Sequence, residues 1–240
     1  MKCSAVHMMQ GSNVNDRVPF LDTLPEGVRA DLEQLGSRRS YAVGDVLISE
    51  GDRVHDLVLL HEGLVKVIAR LDGDDESLVD IGIAGDVVGE MAAMSRGSRS
   101  ATVVACGEVI ATVIPERELK PFLIGNPEVW SALDTVLCGR LRRAVRWRLE
   151  FRGYPVLVRL ARVLVELAVS YGRPEWGGVR INVSLSQSEL AALTGSKTNT
   201  VQKMLAQLGK EGLVRTGEKY TYVRNLDRLR GVAQLRAPSI

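Results

Sequence analysis

Residues 184–223 read SLSQSELAALTGSKTNTVQKMLAQLGKEGLVRTGEKYTYV, and this stretch decides the fold. Ser186 and Glu189 stand at the capping-box spacing, so a helix is expected to begin near Gln187 and run through Leu190, Ala191 and Leu193. Thr194-Gly195-Ser196 then interrupts it, with a glycine where a tight turn needs positive φ. Ser196 is positioned to cap a second helix that buries Val201, Leu205 and Leu208. Its opposite face presents Lys197, Thr198, Asn199, Gln202 and Lys203. Gly212-Leu213-Val214-Arg215, a turn at Thr216-Gly217-Glu218-Lys219, and Tyr220-Thr221-Tyr222-Val223 read as a hairpin.

Two short helices joined by a glycine turn match a helix-turn-helix, whose second helix lies in the DNA major groove. Asn and Gln pair with adenine through two hydrogen bonds, while Lys reaches guanine or phosphate. The expected DNA contacts are Ser186, Lys197, Thr198, Asn199, Thr200, Gln202 and Lys203, with Lys219 in a wing that meets phosphates. A helical hairpin packed only for structure would explain the two helices. It would not require the turn, the cap, the wing and the local charge together.

Charge supports the same end of the chain. Residues 1–139 carry 12 Lys and Arg against 22 Asp and Glu, and the remainder carries 19 against 7. An acidic half followed by a basic half is the asymmetry expected when one end meets a polyanion.

Working outward, residues 154–226 form the DNA-binding domain. It opens after a break at Gly153-Tyr154-Pro155 with an amphipathic helix over 156–170, followed by a strand over 179–183. Before the break, Trp130, Leu137, Leu141 and Ala144 recur at nearly heptad spacing, a seam expected to pair with a second copy across 126–153. A second line, Leu133, Val136 and Val145, is expected to face the domain before it. Arg140, Arg142, Arg143, Arg146 and Arg148 give this helix a basic end that suits its macrodipole. A long helix packed only on its own domain is the plainer alternative.

From Tyr41 to Ile114 short β-branched runs alternate with glycine–acid turns such as Gly44-Asp45, Gly51-Asp52 and Asp72-Gly73-Asp74-Asp75. Several strands at this spacing, with no helical pattern between them, indicate an antiparallel sandwich or roll over 18–125. Residues 1–17 read as a flexible leader and 227–240 as a tail. A short amphipathic helix is expected around Phe20 to Leu35, with Pro25 in its first turn.

Within the roll, Gly89-Glu90-Met91-Ala92-Ala93-Met94 is followed by Arg99-Ser100-Ala101-Thr102. Turn N–H groups and one guanidinium suit a phosphate, and a carboxylate accepts from a ribose hydroxyl. The plainer alternative is a buried Glu90–Arg99 ion pair bracing a loop.

At these residues the chain resembles the cyclic AMP receptor protein/FNR (Crp/Fnr) family of bacterial transcription regulators, over about residues 18–226. The resemblance also rests on Pro19-Phe20-Leu21, on Gly44-Asp45-Val46-Leu47 with Glu50-Gly51-Asp52, and on Glu62-Gly63-Leu64-Val65-Lys66-Val67. It implies an α+β molecule: an N-terminal cyclic-nucleotide-binding antiparallel β-roll, a long dimerisation helix and a C-terminal winged helix-turn-helix. It implies that Arg99 and Ser100 hold a cyclic phosphate, that Glu90 holds the ribose, and that Gly89, Met91 and Ala101 complete the pocket. The effector implied is cyclic AMP, or cyclic GMP, with no cofactor required. The implied partners are double-stranded DNA with a two-fold symmetric operator, a second copy of the chain, and RNA polymerase. Two departures stand out. Ala144 and Val145 occupy positions where cyclic AMP-responsive members carry a Thr-Ser pair that reaches the adenine. Thr198, Asn199 and Lys203 stand where the best-known members have Arg, Glu and Arg, so a different operator follows. The alternative is the same architecture with a degenerate pocket, acting without ligand or with another effector.

Other classes are disfavoured. Cys3, Cys106 and Cys138 give neither a disulfide framework nor a metal or iron–sulfur pattern. His7, His55 and His61 have no nucleophile or metal-ligand constellation, and there is no Walker-type loop, so an enzyme is not expected. An enzyme-regulatory cyclic-nucleotide subunit would not need the segment 184–223. No apolar run is long enough to span a membrane, and the expected location is cytoplasmic.

Overall fold

The computed structural model describes residues 18–70, 76–181, 183–217 and 220–235. The leader 1–17, the acidic turn at 72–75 and Lys219 lie outside the described residues. The chain divides after Gly153 into two units, one from Val18 to Gly153 and one from Tyr154 onward.

The first unit begins with a 3₁₀ turn, Phe20–Thr23, and α1, Glu26–Glu33. Pro25 stands just outside α1 as its N-cap, and Phe20, Leu21 and Leu32 are buried. Then come β1 (Ser37–Tyr41), β2 (Val46–Ile48), β3 (Leu57–Glu62), β4 (Leu64–Arg70), β5 (Glu76–Ile83), β6 (Val87–Val88), α2 (Glu90–Ser95), β7 (Thr102–Ala105), β8 (Val109–Ile114), α3 (Glu116–Gly125) and α4 (Pro127–Gly153). The strands form two antiparallel sheets, ordered β1-β8-β3-β6 and β2-β7-β4-β5.

Strand β3 shows why the roll holds together. Its Leu57, Val58, Leu59 and Leu60 are all buried, but successive side chains point to opposite faces. Val58 and Leu60 join Ile48, Val65, Val88, Val103 and Ala111 in the roll core. Leu57 and Leu59 join Phe20, Leu32, Ile114, Leu119 and Leu133 in a second core beneath the helices. A strand buried on both faces reads as a continuous apolar run rather than an alternation.

Helix α4 spans 27 residues, yet only Val129, Ala132 and Leu133 of it are buried. Val145, expected to face the roll with Leu133 and Val136, is instead half exposed. The twelve residues from Leu133 to Val145 make three full turns and about a third of another, which carries the Val145 side chain roughly 120° off the line set by Leu133.

The second unit comprises α5 (Val156–Tyr171), β9 (Gly172–Glu175), β10 (Gly178–Ile181), α6 (Gln187–Thr194), α7 (Thr198–Lys210), β11 (Val214–Thr216), β12 (Thr221–Val223) and α8 (Leu226–Val232). The strands make one antiparallel sheet, ordered β11-β12-β10-β9. Helix α5 supplies eight buried apolar residues to the core. The expected tail beginning at 227 is corrected by α8, whose Leu229 is fully buried. Asn225 caps α8 by accepting from the Arg228 N–H at 2.9 Å, a local signal that the sequence did carry.

Candidate effector pocket and nucleic-acid interface

In the first unit the Gly89–Thr102 segment is built around two buried charges. Glu90 is 2% exposed and Arg99 is 5% exposed. Glu90 is the first residue of α2, whose N-cap Gly89 has φ +81°. A Cβ at Gly89 would run into the Arg99 guanidinium and come within 2.9 Å of Ile48 Cδ1, so the turn needs glycine twice over. Arg99 Nη1 donates to the Gly89 carbonyl at 2.8 Å, and Nη2 donates to the Asp56 carbonyl at 2.7 Å. Its own backbone bonds Gly51 and Asp52, at 2.9 and 2.8 Å, and Thr102 Oγ1 accepts from Glu50 N at 3.1 Å. Burial lowers the Arg99 pKa, against the opposing pull of Asp56 and Glu90. Ser100 and Met91 are exposed, with the hydroxyl 3.7 Å from the thioether sulfur, and Ala101 is buried.

Glu90 and Arg99 do not form the brace that the sequence allowed. The Glu90 carboxylate is paired instead with Arg140 of α4. Arg140 also donates to the Val87 carbonyl at 2.9 Å and stands 3.5 Å from Asp80 on β5. Arg143 meets the same Asp80 oxygen at 3.1 Å. Burial alone would lower the Arg140 pKa, but the Glu90 and Asp80 carboxylates outweigh it and raise the value. Arg140 and Arg143 lie three residues apart, hence on one face of the helix. Both belong to the basic run that suits the macrodipole, but what they meet is Asp80, which no local pattern in the sequence marks. Their partners are far away in the chain, so only the spacing of the two arginines hinted at a shared target.

The expected dimerisation seam is found at the surface. Trp130 is 52% and Leu141 65% exposed, Ala144 is exposed and Leu137 half-buried. Val145, Leu149 and Phe151 add to the exposed apolar surface of α4.

In the second unit both halves of the capping box are present. Glu189 N donates to Ser186 Oγ at 3.2 Å, and Ser186 N donates to the Glu189 carboxylate at 2.7 Å. Gly195 closes α6 with φ +55°. Ser196 does not cap the next helix: its hydroxyl lies 3.0 Å from Thr194 Oγ1, and Lys197 takes the N-cap without a side-chain bond. Val201, Leu205 and Leu208 bury α7. Ser186, Lys197, Thr198, Asn199, Gln202 and Lys203 are exposed and Thr200 is half-buried. The expected contact residues stand around the exposed first turns of α7 and at the N-cap of α6.

No helix among the described residues is long and apolar enough to cross a membrane. Among the described residues no cluster of His, Cys, Asp and Glu is suited to hold a metal ion.

Comparison with known proteins adds the following. The cyclic nucleotide-binding domain family matches residues 38–126, and the Crp-like helix-turn-helix domain family matches residues 158–232. The "CRP-like cAMP-activated global transcriptional regulator" of Mycobacterium tuberculosis is 30% identical over 210 residues, 88% of this chain and 93% of that protein. The "Cyclic AMP receptor protein" of Thermus thermophilus is 29% identical over 89% of this chain and 95% of its own length. A solved CRP-family transcriptional regulator of Thermus thermophilus superposes with a TM-score of 0.69 at 25% identity, covering 82% of this chain and 96% of that one. The c-di-GMP responsive regulator CLP of Xanthomonas campestris shares the fold, with a TM-score of 0.73 at 22% identity over 84% of this chain and 100% of its own. A cyclic nucleotide-binding roll followed by a Crp-like DNA-binding helix-turn-helix makes this chain a member of the Crp/Fnr family of transcription regulators.

Proposed function

We propose that the chain is a homodimeric regulator whose affinity for a two-fold symmetric operator is set by cyclic AMP bound in each roll. The observation that carries this reading is the buried Arg99, whose guanidinium donates to two backbone carbonyls and meets no carboxylate among the described residues, beside a Glu90 already held by Arg140. A buried guanidinium held only by neutral carbonyls is costly unless an anion comes to partner it. A ribose cyclic phosphate is such a partner, with a hydroxyl for Glu90 and an anion for Arg99 and Ser100. The names of the Mycobacterium and Thermus relatives support cyclic AMP as that ligand.

The exposed stripe of Trp130, Leu141 and Ala144 supports self-association, because exposed apolar residues in register along a helix favour a partner helix. A dimer would set two α7 helices on half-sites about one DNA turn apart. RNA polymerase is the further partner of a regulator so built. Sedimentation of the wild type and of Leu141→Glu tests the dimer; a wild-type monomer at micromolar concentration refutes it.

The effector is tested by calorimetric titration with cyclic AMP and cyclic GMP, together with operator binding by fluorescence anisotropy. Heat with cyclic AMP, lost in Arg99→Ala, is the expected result. No heat and no thermal stabilisation with either nucleotide removes the effector. A second reading is favoured by Ala144 and Val145, which offer a base no hydrogen bond: the pocket is degenerate and DNA binding is ligand-independent. DNA affinity unchanged both by nucleotide and by Arg99→Ala is its signature. On either reading Lys203→Ala and Asn199→Ala weaken specific operator binding; an equal loss on random duplex shows phosphate contact only.

A further inference from the structure

The outward face of the C-terminal sheet carries basic surface that the helix pair does not use. Pairing sets Arg180 of β10 opposite Tyr222 of β12, and Tyr222 opposite Arg215 of β11. Directly opposed residues share a face, so the three side chains form a row. Their neighbours Val214 and Val223 point the other way and are buried. By the same alternation Tyr220 and Arg224 lie on the face of Tyr222. These groups line a concavity of about 600 Å³ with Glu175 at its rim. The Arg180 guanidinium stands 5.1 Å from the centre of the Tyr220 ring and 3.5 Å from Glu175. Among the described residues three guanidiniums thus meet one carboxylate, and the Arg180–Glu175 pair is about half exposed.

A merely solvated strand face does not require charges of one sign to cluster, since like charges side by side cost stability. The surroundings point to a polyanion. A neighbouring concavity of about 400 Å³ shares Arg215 and Arg224 and is lined also by Gln187, Gln202 and Thr216. Gln187 opens α6 and Gln202 lies on the exposed side of α7. Strand β11 is the edge of the sheet. The basic face is therefore continuous with the surface of the helix-turn-helix.

We propose that Arg180, Arg215 and Arg224 hold the phosphate backbone of duplex DNA beyond the base pairs that α7 reads, a role that rests on the DNA-binding reading of α7. Guanidiniums match phosphate oxygens through paired hydrogen bonds, and the Tyr220 hydroxyl adds a donor on the same face, whereas the Tyr222 hydroxyl already donates to the Trp176 carbonyl at 2.8 Å. The contact is blind to sequence. It lengthens the footprint and steepens the dependence on salt.

The test uses the full chain and a duplex selected in vitro by the wild type, prepared at core length and with about ten further base pairs on each side, one DNA turn. The wild type is expected to bind the extended duplex more tightly. Arg180→Gln/Arg215→Gln/Arg224→Gln is expected to lose that gain while keeping core affinity within about twofold. Its log–log salt slope on the extended duplex should fall by about 0.9 for each phosphate released, roughly 3 per protomer. The corresponding triple lysine variant should keep most of the slope. Arg215→Gln alone should lower it by about 1 and serves if the triple variant is unstable. Equal slopes for wild type and triple variant overturn the proposal, as does an equal loss on both duplexes. So does normal DNA binding with loss only toward an acidic protein. A wild type that binds no duplex sinks the DNA-binding reading of α7 as well, whereas a wild type indifferent to flanks sinks this face alone.

Discussion

Replacing Arg140 by Met keeps most of the side-chain length and removes the charge that faces Glu90. The carboxylate left behind is 3% exposed, and the Val87 carbonyl loses its 2.9 Å donor. Stripping one partner from a buried ion pair costs about 3–5 kcal/mol, because an uncompensated charge remains in a poor solvent. Arg140 itself is 23% exposed, so water admitted at its position will solvate Glu90 in part, and the low end, about 3 kcal/mol, is the working value. The first unit holds roughly 140 residues, and unfolding entropy near the midpoint scales to about 0.3 kcal/mol per degree for that size. The expected loss in Tm is therefore about 10 °C, read by calorimetry of full-length protein without nucleotide. Arg140→Met/Glu90→Leu removes both charges and should restore most of it, since a buried pair replaced by apolar groups is close to neutral. A loss under about 1 kcal/mol in the single variant, or a double variant as unstable as the single, would refute the assignment of Arg140 as the partner that makes Glu90 tolerable.

Three further outcomes are expected. His61, 2.8 Å from Thr112 Oγ1, is held below its ordinary value of 6.5 by burial and then by Arg38. The unfolded chain takes up this proton first, so the stability His61 contributes is complete above 6.5 and is lost as pH falls below it; a His61→Gln variant should show a flatter Tm profile between pH 7.5 and 5. Ser186→Ala removes an N-cap and should cost about 1 kcal/mol in a denaturant titration of the second unit's transition. Ala144→Thr/Val145→Ser supplies two hydroxyls, and at about 1 kcal/mol each should tighten cyclic AMP by roughly tenfold or more in calorimetry; an unchanged Kd would show that the base does not reach these positions.

What the sequence revealed follows the range of the forces involved. The helix-turn-helix was legible because its signals are local: Ser186 with Glu189, and Gly195 at a positive φ. Strands β2 to β5 were legible because apolar side chains alternate or run together between glycine turns. Strand β1 was not, since Ser37-Arg38-Arg39-Ser40-Tyr41 has no apolar face; its register with Val109 to Val113 of β8 holds it in place. The Gly89–Thr102 segment was legible through Gly89, Glu90 and Arg99, but the Glu90–Arg140–Asp80–Arg143 network was not. Helical spacing states that Arg140 and Arg143 share a face and says nothing of what that face meets.

On the proposed reading this network limits how strongly a ligand can act. A carboxylate offers about four acceptor sites, so a ribose hydroxyl can bind Glu90 without displacing Arg140. The ligand then strengthens a network already anchored on α4, and with Ala144 and Val145 silent it has few other ways to engage that helix. Shifting a regulator from about 1% to 99% active needs about 5.5 kcal/mol of differential affinity. One charge-assisted hydrogen bond contributes about 1.5–3 kcal/mol, so a single pocket falls short and two occupied pockets just reach the requirement. The operator response should therefore be cooperative in nucleotide, and it should depend on the forked geometry of Arg140. Arg140→Lys keeps the charge but cannot reach Glu90, Asp80 and the Val87 carbonyl together. Its expected defect is a lower plateau of operator binding at saturating cyclic AMP, with nucleotide Kd changed by less than about threefold. A full plateau in this variant would mean that the signal leaves the pocket by a route other than α4.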